Sequence, residues 1–140
     1  MSILEDPPMK RASFSLRTTR RFEILSITRH VEAALSELSA GDGICTVFTP
    51  HTTAAVSINE DADPDVRSDL ALGFEKLVPP VPFSHAEGNS DSHMLSALVG
   101  VSLQIPFSRS KLELGRWQGI HFLEFDGPRT REVRVYVLEG

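Results

Sequence analysis

The chain is expected to fold as a β-rich α+β domain, a mostly antiparallel sheet with about three short helices. Three observations carry this expectation. Stretches that alternate apolar and polar residues at a period of two recur from Phe14 to Leu138. Three other stretches place apolar residues at helical spacing. The 140 residues, 41% of them hydrophobic, suit a single core. One domain over 12–140 is therefore expected, after a disordered tail over 1–11 that is polar, proline-containing and without periodicity.

Taken in order, 14–18 and 22–27 alternate around Thr19-Arg20-Arg21 and read as a hairpin. Thr28 is placed to cap a helix whose stripe is Val31, Ala34, Leu35 and Leu38, and Gly41-Asp42-Gly43 ends it. A strand over 44–48 follows. It holds the single cysteine, Cys45, so no intrachain disulfide can form and a buried, inert thiol is expected. Over 51–60 parity puts Ala54, Val56 and Ile58 on one face and His51, Thr53, Ala55, Ser57 and Asn59 on the other. That second face suits a site and an ordinary solvated strand equally well.

Asp63 then caps a second helix with Pro64 at its first position and a stripe of Val66, Leu70, Gly73, Phe74 and Leu77. Asp65 and Asp69 lie on one side of it. Asp65 favours the helix dipole, whereas Asp69, a turn further in, has no such structural reason. Pro79-Pro80-Val81-Pro82 is an extended connector. It delivers a loop and a third short helix over 92–99, capped by Ser90 or Asp91. Strands over 101–107, 111–114, 117–126 and 132–138 complete the chain, with a turn at Ser108-Arg109-Ser110.

A net charge of -5 and a sequence pI near 5.5 argue against nucleic-acid binding, which needs clustered Lys and Arg. No run approaches the ~20 apolar residues of a membrane span, and no apolar segment of a secretory signal follows Met1. A cytoplasmic protein with no membrane partner is expected.

The histidines carry the chemistry. His51 opens a Thr-rich segment, and His85-Ala86-Glu87-Gly88-Asn89 is followed by His93 in the first turn of the third helix, which brings His85, Glu87 and His93 within reach of one another. Neutral imidazole supplies both a ligand nitrogen and a proton shuttle near neutral pH, and Gly88 permits close backbone approach to a ligand. A metal site or an acid/base site is expected here, although the spacing matches no standard zinc signature. His30 lacks a polar cluster and should point to solvent. His121 falls on a face with Trp117, Leu123 and Phe125, as a core or interface histidine does, while Gln118, Ile120, Phe122, Glu124 and Asp126 share the opposite face.

His51-Thr52-Thr53-Ala54-Ala55, Asn59-Glu60 with Asp63-Pro64-Asp65-Val66 and Asp69-Leu70, His85-Ala86-Glu87-Gly88-Asn89 with His93, the segment from Leu112 to Gln118, and Asp126-Gly127-Pro128-Arg129-Thr130-Arg131 resemble, in order and spacing, the YjbQ-like family, also called the secondary thiamine-phosphate synthase family. The resemblance spans nearly all of 14–140. It implies a jelly-roll-like sheet, a homotrimer, and a histidine-lined site near the subunit interface. The divalent metal it implies is zinc, with magnesium as the alternative, held by His51, His85 and His93. Three departures stand out: Phe83 where members have tyrosine, Ser92 where they have alanine, and Asp61 where they have asparagine.

The implied reaction joins hydroxymethylpyrimidine diphosphate to thiazole phosphate with release of pyrophosphate, so the partner is a small phosphorylated metabolite. On this reading Glu87, Asp69, Asn59 and Gln118 are the catalytic candidates. Thr52, Thr53, Asn89, Arg129 and Arg131 are the substrate contacts, because arginine forks and hydroxyls match phosphate oxygens. Two other classes stay open: a metal-dependent hydrolase of a small phosphorylated metabolite with Glu87 as general base, and a non-catalytic metabolite-binding trimer.

Overall fold

The computed structural model describes residues 9–140. Its elements run β1 (Met9–Arg17), β2 (Glu23–Ser26), α1 (Thr28–Leu38), β3 (Gly43–Phe48), β4 (Ala54–Glu60), α2 (Pro64–Leu77), α3 (Ser90–Val99), β5 (Ser102–Ser108), β6 (Lys111–Leu112), β7 (Gln118–Glu124) and β8 (Thr130–Glu139). Two antiparallel sheets result, one ordered β1-β8-β3-β5-β6 and the other β2-β7-β4. The α+β class with three helices is as expected. No helix among the described residues is long and apolar enough to cross a membrane.

Alternation explains the layering. Cys45 and Val47 of β3, Ile105 and Phe107 of β5, and Val133, Val135 and Val137 of β8 point inward from the larger sheet, against Ala54, Val56, Ile120 and Phe122 of the smaller one. Val31, Ala34 and Leu35, one stripe of α1, close the same core. The opposite face of the small sheet offers Ile24, Ala55, Leu123 and Phe125 to Leu95 of α3 and to Leu70 and Phe74 of α2. The face of β4 that carries Ala55 is thus covered by helices rather than solvated. Cys45 is fully buried, and burial pushes its thiol up to about 11, as an inert thiol requires.

Several local expectations change. The first two strands do not form a hairpin: β1 pairs with β8 and β2 with β7, in different sheets. Between them the Thr18 N–H donates to Arg129 O and Arg21 O accepts from Gly127 N, so the chain crosses from one sheet to the other along the β7–β8 connection instead of turning back. Met9, Lys10 and Arg11, expected in the tail, pair with Leu138, Val137 and Tyr136 in β1; the tail expectation for 1–8 lies outside the described residues. Thr28 does not cap α1. Its hydroxyl oxygen accepts from Ile120 N at 2.9 Å, and Ile27 occupies the cap position without a side-chain bond. Likewise α3 begins at Ser90, with Asn89 rather than Ser90 or Asp91 at the cap and no side-chain cap bond. Asp63 does cap α2, accepting from Asp65 N at 2.9 Å with Pro64 first in the helix.

Candidate functional site

The connector after α2 and the first turn of α3 set the geometry. Residues 78–89 carry no strand or helix, and Gly88 holds φ +73, a left-handed conformation that suits glycine. His85 and His93 meet edge to face with ring centroids 5.5 Å apart, and Glu87 Oε2 lies 3.7 Å from His85 Nε2. The structure thus brings together His85, Glu87 and His93 as the spacing predicts. Ser92 donates to Phe125 O at 2.6 Å and ties the first turn of α3 to the end of β7. Arg21 closes a second tie, donating to both carboxylate oxygens of Asp91 at 2.9 and 3.0 Å.

Beside the histidine pair runs a short polar chain. Asn89 Nδ2 donates to Asp126 Oδ2 at 2.8 Å, and Arg129 Nη2 donates to the same oxygen at 2.8 Å while its Nε donates to Asp126 O at 2.7 Å. Asn89 is 8% exposed, and its Oδ1 is a buried acceptor with no partner. A cleft of about 610 Å³ opens here, lined by Arg21, Lys76, Phe83, Glu87, Asn89, Asp91 and Asp126 among others. Its volume falls in the range of small-molecule sites. Phe83 stands 40% exposed on the wall, where the resemblance expects a tyrosine hydroxyl.

His51, just before β4, feels the charges of Arg131 and Arg129. Its Nε2 accepts from Glu132 N at 2.9 Å, which fixes the proton on Nδ1, and burial followed by the charge of Arg131 holds its pKa below the ordinary histidine value. Among the described residues no group of three or more His, Cys, Asp and Glu is gathered to hold a metal within one chain. His85 and His93 suit two ligand positions, but His51 has Nε2 engaged by the backbone and does not complete the set.

Two expected phosphate contacts, Arg131 and Thr53, make internal bonds. Arg131, 4% exposed, forms a two-pronged pair with Glu124, 0% exposed: Nε donates to Oε2 at 2.7 Å and Nη2 pairs with Oε1. Its Nη2 also donates to Thr53 Oγ1 at 2.9 Å, while Thr18 Oγ1 and Asp126 N donate to Glu124. Arg131 Nε and Nη2 and the Thr53 hydroxyl are thus engaged within the chain. Glu124 is buried on the face that it shares with Ile120 and Phe122. Thr52 and Arg129 remain at the surface, Arg129 as the partner of Asp126.

The remaining catalytic candidates lie elsewhere in the chain. Asp69 is exposed on α2 beside an apolar groove. Asn59 is exposed at the end of β4 and accepts from Glu60 N through its own Oδ1. Gln118 begins β7, whereas the histidine loop packs at that strand's far end, about 20 Å away at roughly 3.3 Å per residue over seven residues.

The chain's other buried polar centre was not singled out from sequence as a unit. Asp61 accepts from Ser26, Arg67 and His121, the last through Nε2 at 3.1 Å, and His121 is 0% exposed with Nδ1 unpartnered. His121 is therefore a core histidine held by one acid. Burial holds its pKa below the ordinary value despite Asp61, and in Asp61 the Ser26 hydroxyl, His121 and Arg67 outweigh burial and hold the carboxyl below the usual range. The available signal was register: Ser26 and Ser57 both pair with His121, which makes a polar row across three strands. His30, exposed as expected, stacks on Phe14 with centroids 4.9 Å apart.

Comparison with known proteins gives one consistent result. The model of the family described as UPF0047 protein YjbQ-like matches residues 12–140. The chain is 46% identical over 128 residues to UPF0047 protein YugU of Bacillus subtilis, covering 90% of this chain and 97% of that one. It is 45% identical over 126 residues to a UPF0047 protein of Methanocaldococcus jannaschii, covering 89% and 91%. Among solved structures, a YjbQ/UPF0047 family protein of Clostridium acetobutylicum superposes with a TM-score of 0.86 at 45% identity, covering 90% of this chain and 98% of that one. A hypothetical protein of Aeropyrum pernix K1 superposes with a TM-score of 0.88 at 37% identity, covering 94% and 99%.

Proposed function

The chain belongs to the YjbQ-like UPF0047 family, and on that premise we propose that the histidine loop binds a small phosphorylated metabolite and transfers a group from it, as in weak thiamine-phosphate synthesis. The observation that carries the reading is the meeting of His85, Glu87 and His93 beside the Asn89–Asp126–Arg129 chain and a cleft of about 610 Å³.

The reaction replaces a C–O bond to the departing pyrophosphate with a C–N bond to the thiazole, so the protein must bind the leaving group and keep water from competing for the carbon. Arg129 and Thr52 are the exposed candidates to contact the diphosphate. The nearby Asn89 amide is already held by Asp126, which fixes one wall of the cleft. Glu87, 3.7 Å from His85, is the acid/base candidate. A divalent metal, zinc by the resemblance, would take His85 and His93 as ligands and supply charge for the leaving diphosphate.

We further propose the homotrimer. Its support is the outer face of α2 and α3, where Leu77, Met94 and Leu98 are 56, 49 and 72% exposed. Two apolar grooves there, of about 520 and 370 Å³, share Leu77. Contiguous apolar exposure of this kind marks an association surface.

Titration calorimetry with pyrophosphate beside elemental analysis tests the site. The double variant His85→Ala with His93→Ala should lose bound divalent metal and weaken pyrophosphate binding, with the fold retained by circular dichroism. Unchanged metal content and unchanged affinity would refute the assignment.

A further inference from the structure

At the opposite end of the small sheet the first turn of α1, the β4–α2 junction and the turn before β7 enclose a cleft of about 510 Å³. We infer that this cleft is a second ligand site, for a planar heteroaromatic compound that carries a phosphate. It stands about 20 Å from the histidine loop along β7 and does not depend on the reading of that loop.

Its walls present hydrogen-bond donors and one aromatic face. Arg29 and Arg116 both line it, and neither is ion-paired among the described residues. Trp117 is 57% exposed, with the Arg116 guanidinium 5.0 Å from its ring centroid. A large aromatic left in water on a turn has little structural use, whereas beside a guanidinium it forms a platform on which a ring can stack. Gln118 Oε1 accepts from Gly115 N at 2.8 Å, so its amide nitrogen is left to donate.

The acids do not cancel this character. Asp61 has its oxygens filled by Ser26, Arg67 and His121, which fixes that wall and neutralises its charge, leaving Glu32 against two arginines. A ligand that matches such walls offers a stacking face, ring acceptors for the Gln118 amide, and an anionic group for the arginine forks. The volume suits one such molecule.

Trp117 is the only tryptophan of the chain, so its fluorescence reports on this cleft alone. The probes are AMP and CMP, with adenosine and inorganic phosphate as partial ligands, and calorimetry runs in parallel. Saturable binding is expected for at least one nucleotide, with adenosine and phosphate each weaker. Arg29→Ala and Arg116→Ala should each weaken it about tenfold or more, the equivalent of one lost charge-assisted contact. The His85→Ala, His93→Ala double variant should bind the nucleotide unchanged, which separates this site from the histidine loop. No saturable signal with either nucleotide would overturn the inference. So would phosphate binding as tightly as the nucleotide, affinity that survives both arginine replacements, or binding lost with the histidines.

Discussion

Replacing Arg131 with methionine should unfold this protein far more readily than it weakens any ligand. Methionine keeps the unbranched stem and removes the guanidinium, leaving the Glu124 carboxylate, 0% exposed, with only Thr18 Oγ1 and Asp126 N as donors. It also strips the partner from Thr53 Oγ1, which is itself buried. Breaking a buried pair from one side costs about 3–5 kcal/mol because a charge is left without its counterion. The two remaining donors point to the lower end, about 3 kcal/mol, a large part of the roughly 5–15 kcal/mol that holds a typical domain. For a chain of this length that corresponds to a fall in Tm of about 10 °C. Urea denaturation of Arg131→Met, Glu124→Leu and the double variant forms the assay. The double variant should recover much of the loss, since an apolar pair needs no counterion, and the coupling energy isolates the ion pair. A single-variant loss below ~1 kcal/mol with pyrophosphate affinity abolished would refute the reasoning and return Arg131 to the role of phosphate contact.

Three further outcomes follow from the same contacts. His121 and His51 both have folded pKa values below the ordinary 6.5, so the unfolded chain binds more protons; their stabilisation is complete above 6.5 and lost as pH falls through the folded values. Asp61, held below its ordinary 3.8, adds a loss of the same sign at still lower pH, and His121→Phe should flatten the fall in Tm below pH 6.5, which thermal melts in steps of pH would read. Asp63→Ala removes the bond from Asp65 N and should cost about 1 kcal/mol in urea denaturation without changing metal content. Leu98→Glu places a charge on the apolar outer face of α3, and sedimentation should show dissociation of the proposed trimer into folded monomers; a variant that sediments as the wild type does would remove α3 from the proposed interface.

Much of the architecture was legible in the chain because its determinants are local. Asp63-Pro64 announces the start of α2 by capping chemistry, and the Val133, Val135 and Val137 alternation announces β8. The failed hairpin shows where local pattern stops: 14–18 and 22–27 carry the right period, but their partners, β8 and β7, lie about a hundred residues away. The Arg131–Glu124 pair was legible and missed. Arg131 shares parity with Val133, and Glu124 with Ile120 and Phe122, so opposite charges stood on two core-facing rows. The histidine loop was readable because His85, Glu87 and His93 are close in sequence. The separation of Gln118 and Asn59 from it was not, because it depends on the length of β7 and on which end of the sheet each segment reaches.

Product formation tests the central claim most directly. Purified protein is supplied with hydroxymethylpyrimidine diphosphate and thiazole phosphate, together and singly, and thiamine phosphate and pyrophosphate are both quantified. The proposed transfer predicts the two products in equal amounts only when both substrates are present, and their loss in His93→Ala with the fold intact. Phosphate or pyrophosphate released from either compound alone, or product formation that persists at the wild-type rate in His93→Ala, would contradict it.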